Sequence, residues 1–212
     1  QMNAHAVAML EPVGGEAIIL EKVRAEAVIK DLFAEVEITQ RYRNPERTNI
    51  EAVYTFPLPL DAVLLDFDVT IGKRELTGVV IEKSEAENRY EDAIADGDAA
   101  VLLEQSQPGL YTANIGNLPA GETATIRFTY GLLLRWNGDR VRFMMPTTIA
   151  PRYGDWGAAG SQPHQVPSYD FGTERSFSLK IAVQGLLKDA SFSSPSHKVR
   201  ITPNSHETTV EF

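Results

Sequence analysis

The chain has 212 residues, 43% of them hydrophobic, a formal net charge of −9 and no cysteine. That length fits one large β domain or two small ones and is enough to bury a core. The negative balance argues against duplex nucleic acid, which requires clustered Lys and Arg, and no basic group exceeds Lys188, Lys198 and Arg200. Disulfides, thiolate metal sites and thiol nucleophiles are excluded by composition. No apolar run reaches the roughly 18 residues of a membrane span. The start, Gln1 to Leu10, has neither the basic region nor the apolar length of a signal peptide. Met2 reads as the native start, which favours the cytoplasm; a leader removed ahead of it would make the chain secreted or cell-surface.

In chain order, Ala17 to Leu20 and Arg24 to Lys30 read as two short strands parted by charged residues. From Phe33 to Arg43, Ala34, Val36, Ile38 and Tyr42 share one face while Glu35, Glu37, Thr39, Arg41 and Arg43 share the other, the pattern of an antiparallel strand with one wet side. Asn44 to Asn49 is a turn. Ile50, Ala52, Tyr54 and Phe56 then alternate with Glu51, Val53 and Thr55, and Pro57 and Pro59 stop the strand, since proline lacks the N–H that a ladder needs. Leu65 to Ile71 and Leu76 to Glu82 form a hairpin around Gly72. Ser84 and Glu87 are spaced as a capping box and predict a short α-helix over about 84–96, ended at Gly97. Strands follow at Ala99 to Glu104, Tyr111 to Ile115 and Thr123 to Tyr130, and Asn137-Gly138 predicts a type I′ hairpin turn.

Pro151 to Glu174 has no usable period and is rich in Gly, Pro, Ser and aromatics. Loops of that length are commonly functional, so Tyr153, Trp156, Tyr169 and Phe171 are candidate interaction residues. Beyond it, strands are expected at Phe177 to Val183, Ala190 to Ser194, Val199 to Thr202 and Glu207 to Phe212. The last ends on Phe212, an aromatic that favours burial and the fifth candidate. The expected fold is all-β, an antiparallel β-sandwich with one short helix and a smaller C-terminal β segment. Its core takes Val36, Ile38, Tyr54, Phe56, Phe67, Val69, Ile126 and Phe128.

Catalytic signatures are sparse. His5, His164, His197 and His206 lack metal-ligand spacing, so no metal is expected. Asp66 and Asp68 share a strand face and could act as paired carboxylates, but they fit the solvated face of an amphipathic strand better. Asp96-Gly97-Asp98 lacks the ligand offsets of a calcium loop. Neither a Gly-x-Ser-x-Gly elbow nor a phosphate-cradling Gly-rich loop occurs. No catalytic residue and no cofactor are therefore assigned.

Four blocks in order, Tyr42-Arg43-Asn44-Pro45, Ile50 to Pro59, Glu85-Ala86 with Tyr90, and Gly116 to Glu122 ahead of Tyr130, resemble a vault protein inter-alpha-trypsin (VIT) domain. The resemblance covers about residues 16–150. It implies a β-sandwich-like module that usually precedes a von Willebrand factor A domain and brings no established catalytic residues. Residues 151–175 would then be a long irregular loop, and 176–212 a β-rich segment leading towards an A domain; Ser194 to Lys198 also resembles such a link. The expected function is a non-catalytic interaction or scaffold module whose partner is a protein, an A domain downstream in the same chain. The alternative is a carbohydrate-binding or carbohydrate-cleaving β-sandwich, stacking sugars on the 151–174 aromatics and using Asp66 with Asp68 or Glu82.

Overall fold

The computed structural model describes residues 8–14, 17–81, 100–145 and 176–212. The predicted helix at 84–96, and with it Ser84 and Glu87, lies outside them. The strands are β1 (Met9–Pro12), β2 (Ile19–Lys30), β3 (Phe33–Arg43), β4 (Ile50–Pro57), β5 (Val63–Ile71), β6 (Arg74–Ile81), β7 (Ala100–Gln107), β8 (Leu110–Leu118), β9 (Thr123–Leu133), β10 (Trp136–Asn137), β11 (Arg140–Val141), β12 (Ser176–Gln184), β13 (Arg200–Pro203) and β14 (Glu207–Glu211). The fold is all-β. One twelve-stranded sheet runs β1-β4-β8-β7-β6-β5-β9-β3-β2-β12-β14-β13, and β10 pairs with β11 alone.

Alternation decides which face goes inside. On β4, Ile50, Ala52, Tyr54 and Phe56 are buried, and on β9 so are Ala124, Ile126, Phe128 and Tyr130. Four strands separate β4 from β9 in the sheet, yet the rings of Phe56 and Phe128 stack with centroids 4.5 Å apart. The sheet therefore folds back so that its two halves face one another, the arrangement that buries one apolar face of each. Phe56 also stacks on Phe67 and Tyr111, each at 5.4 Å, making it the centre of an aromatic cluster. All eight expected core residues are buried.

Several local expectations are corrected. The N-terminal pair of strands is one strand, β2, because a bulge between Leu20 and Lys22 absorbs the charged interruption. β1 has no counterpart in the sequence reading; it pairs antiparallel with β4, Leu10 opposite Tyr54. Residues 190–194 form no strand. In the β10–β11 hairpin Asn137 pairs with Arg140; Gly138 has φ +64° while Asp139 does not take positive φ, so the turn is not type I′. Two strand pairs are parallel, β6 with β7 and β2 with β12, so the sheet is mixed. Parallel neighbours cannot be joined by a tight hairpin, and β6 ends at Ile81 while β7 begins at Ala100.

The C-terminal strands continue the main sheet. β12 lies along the free side of β2, with Ala182 opposite Val28, and β14 and β13 extend it outward. Asp31, in the β2–β3 turn at φ +56°, accepts a 2.8 Å hydrogen bond from the Leu186 N–H, tying that turn to the short 3-10 turn after β12.

Two substitutions test the packing. A Cβ on Gly78 of β6 would lie 2.6 Å from Phe67 Cδ1 and 2.9 Å from Leu103 Cδ1, so Gly78→Ala is expected to destabilise by about 1–3 kcal/mol through overpacking. A urea midpoint equal to that of the parent would contradict this. The Tyr130 hydroxyl is buried with no hydrogen-bond partner among the described residues, and burial pushes its pKa up. Tyr130→Phe is therefore expected to leave stability unchanged or raise it by about 1 kcal/mol, because an unsatisfied polar atom is removed. A clear loss in the same titration would reveal a partner for that oxygen.

Candidate functional site

Of the five aromatic candidates, Phe212 is placed; Tyr153, Trp156, Tyr169 and Phe171 lie outside the described residues. The Phe212 main chain extends β14, exchanging 3.2 Å hydrogen bonds with Leu179 in both directions. Its ring stacks on His197 at 4.4 Å and 11° and tilts against Phe177 at 5.5 Å. Phe177 and Phe212 remain 39% exposed. The register continues this apolar surface across the strands: Ile181 faces Val210, and Val210 faces Ile201 on the outermost strand. Ile181 packs on the core while Ile201 is exposed. The core-facing side of β12, β14 and β13 thus runs out from the sandwich as a half-covered apolar shelf. The ring of His197 was not expected there, since its pairing with Phe212 depends on β13 and β14 folding side by side.

Asp66 and Asp68 do lie on one exposed face of β5, as their spacing predicts. Arg127 of β9 engages both, Asp66 at 3.2 Å and Asp68 more closely, and also reaches Glu37 of β3 at 3.2 Å. The Asp68 hydrogen bond chiefly, and Glu37 further, hold the Arg127 guanidinium above its usual pKa. The two carboxylates are therefore bound to a cation of the chain. Glu82 and the Asp96-Gly97-Asp98 turn lie outside the described residues, as do His5 and His164. His206 sits in the β13–β14 turn, its N–H donating to Asn204 Oδ1 at 2.8 Å. Among the described residues no group of three His, Asp or Glu side chains is arranged to hold a metal ion.

Buried Asn44 joins two loops distant in the chain. Its Nδ2 donates to the carbonyls of Thr48 at 2.9 Å, Leu118 at 3.0 Å and Pro119 at 3.2 Å. Its Oδ1 accepts from the Glu46 N–H at 2.9 Å. The main chain adds Asn44 N–H to Glu122 O and Gly121 N–H to Asn44 O. A second buried polar residue, Gln40 of β3, passed unnoticed in the sequence. Its Nε2 donates to Ala8 O at 3.1 Å, and its Oε1 accepts from the hydroxyls of Tyr54 at 2.5 Å and Tyr42 at 3.1 Å. Burial raises the Tyr54 pKa well above its usual value, so that hydroxyl stays protonated as a donor.

The family model for the vault protein inter-alpha-trypsin domain, VIT, matches residues 20–130. The chain belongs to the VIT family. Two of the blocks that mark it as a VIT domain, the Asn44 turn and Gly116 to Glu122, are joined through Asn44, and the proline exit is fixed by the Leu58 N–H donating to Gly109 O at 2.8 Å. The VIT domain is 33% identical over 178 residues to the human protein mono-ADP-ribosyltransferase PARP4, covering 82% of this chain and 10% of that protein. It is 30% identical over 142 residues to the rat von Willebrand factor A domain-containing protein 5A, covering 65% of this chain and 17% of that one. The chain thus spans less than a fifth of either relative. Among solved structures, a Legionella pneumophila protein described as nutrient binding superposes with a TM-score of 0.53 at 11% identity, over 98% of this chain and 65% of its own; that likeness concerns the fold. Membership in the VIT family and relatives that carry von Willebrand factor A domains are compatible with a protein-interaction module. No helix among the described residues is long and apolar enough to cross a membrane.

Proposed function

We propose that this VIT domain is a non-catalytic scaffold that supports and orients a von Willebrand factor A-type domain, docking it on the shelf formed by β12, β14 and β13. The observation that carries this reading is the row Ile181, Val210 and Ile201 with Phe177 and Phe212 beside it, apolar side chains that pass from the core into solvent at the sheet's edge. Such patches commonly mark protein contacts. Support also comes from relatives whose names include an A domain. The non-catalytic part of the reading is supported by Asp66 and Asp68 being engaged by Arg127.

The test is amide hydrogen exchange on this chain mixed with the purified A domain of the rat protein 5A. Protection is expected along β13 and β14, and Ile201→Asp should abolish it. Exchange unaltered on those strands, or protection that survives Ile201→Asp, would remove the proposal.

A further inference from the structure

The outward face of the sheet carries a second apolar surface, on the side opposite the core-facing C-terminal shelf. Gly131 of β9 lies opposite Glu35 on β3 and opposite Val63 on β5, and Glu35 lies opposite Val28 on β2. The space above Gly131 is filled from both sides: a Cβ there would meet Phe33 Cζ at 2.8 Å and Leu65 Cδ1 at 3.4 Å. Leu133 stands opposite Phe33. Five large side chains are therefore grouped in the open, from Val28 at 43% exposure to Val63 and Leu133 at 63%. Contiguous apolar surface of this kind is unusual on a face that otherwise alternates polar residues outward.

The charges around it select the occupant. Glu35 projects within the apolar group, exposed and without an ion pair among the described residues. The next rows hold Glu37, Asp66 and Asp68, which share the single guanidinium of Arg127, and Glu26, paired with Arg24. Lys30, beside Phe33 on β2, is the basic group at the other border. The carboxylates outnumber their cations where they meet the apolar patch, so an anionic partner would be repelled and a cationic one attracted.

We propose that this face binds a basic amphipathic helix of a partner protein, its apolar stripe on Phe33, Val63, Leu65 and Leu133 and an Arg or Lys against Glu35. A helix is the element that ordinarily covers an apolar sheet face. The dimensions agree. Val28 to Val63 spans three strand spacings, about 14 Å, and a helix of about ten residues covers that length at 1.5 Å per residue. This surface is separate from the shelf assigned to an A domain, so either assignment can fail alone.

The probe is a synthetic 14-residue helical peptide with a leucine stripe flanked by arginines, and its control replaces each arginine with glutamate. On isotopically labelled chain, the arginine peptide is expected to shift the amides of Phe33, Glu35, Gly131 and Leu133, with affinity falling as salt is raised. Glu35→Lys and Leu133→Ser, both at exposed positions, should each weaken binding about tenfold or more while leaving the thermal midpoint in place. Shifts confined to β12 and β14, equal binding of the glutamate peptide, or affinity unaffected by both substitutions would overturn the proposal. So would self-association of the chain that Leu133→Ser disrupts, because it would assign this face to a second copy.

Discussion

Phe56→Ala is expected to cost about 3–5 kcal/mol, a large share of the 5–15 kcal/mol that typically separates a folded domain from its unfolded chain. The reason is position as well as size. Phe56 is fully buried and stacks on Tyr54, Phe67, Tyr111 and Phe128, rings from both halves of the folded-back sheet. Removing it leaves a cavity that rigid aromatic neighbours cannot collapse to fill. Val53→Ala, on the other face of the same strand, should cost far less. Guanidinium titrations of the two variants compare them directly, and coincident midpoints would refute the placement of Phe56 as the centre of packing.

The second large effect is expected from Asn44→Ala, about 2–4 kcal/mol, because the buried Leu118 carbonyl loses its donor and the part-buried carbonyls of Thr48 and Pro119 lose theirs with it. Asn44→Asp separates hydrogen bonding from shape. The introduced carboxylate would face the carbonyl oxygens of Thr48, Leu118 and Pro119, so its folded pKa is raised above the unfolded value. Linkage then fixes the sign: the penalty is absent below about pH 4, where both states are protonated, and grows as pH rises. Thermal midpoints for Asn44→Asp relative to the parent should therefore fall from acid to neutral pH. Midpoints that rise instead would show that the side chain faces donors, and a difference independent of pH would refute the raised pKa.

What could be read from the sequence was what alternation encodes. The inward faces of β3, β4 and β9 followed from period two, and the resemblance to the VIT family rested on blocks whose spacing survives without a structure. Gln40 shows where that reading stopped. It stands in phase with Val36, Ile38 and Tyr42, so its burial was signalled, but its partners Ala8 and Tyr54 belong to other strands. The charged pair Glu21 and Lys22 reads as a strand end because local polarity does not distinguish a bulge from a break. The pairing of β12 with β2 had no local signal at all, since both are ordinary alternating strands far apart in the chain. For the same reason Phe212 could be singled out as an aromatic favouring burial, while its neighbours Phe177 and His197 could not. Gly131, which gathers Phe33 and Leu65 on the outer face, looked like a strand residue of no distinction.

The parallel junction of β2 with β12 also sets the order of events as the chain is made. β2 is complete at Lys30, but the strand that covers its second edge begins at Ser176. Throughout synthesis of the intervening residues that edge presents unpaired N–H and C=O groups, the feature through which nascent sheets pair with the wrong neighbour. Native closure waits for a contact between strands far apart in the chain, Ser176 beside Lys22, and topologies dominated by such non-local pairings fold in milliseconds to seconds. β12, made long after β2 is complete, therefore acts as the gatekeeper against misassembly of that strand.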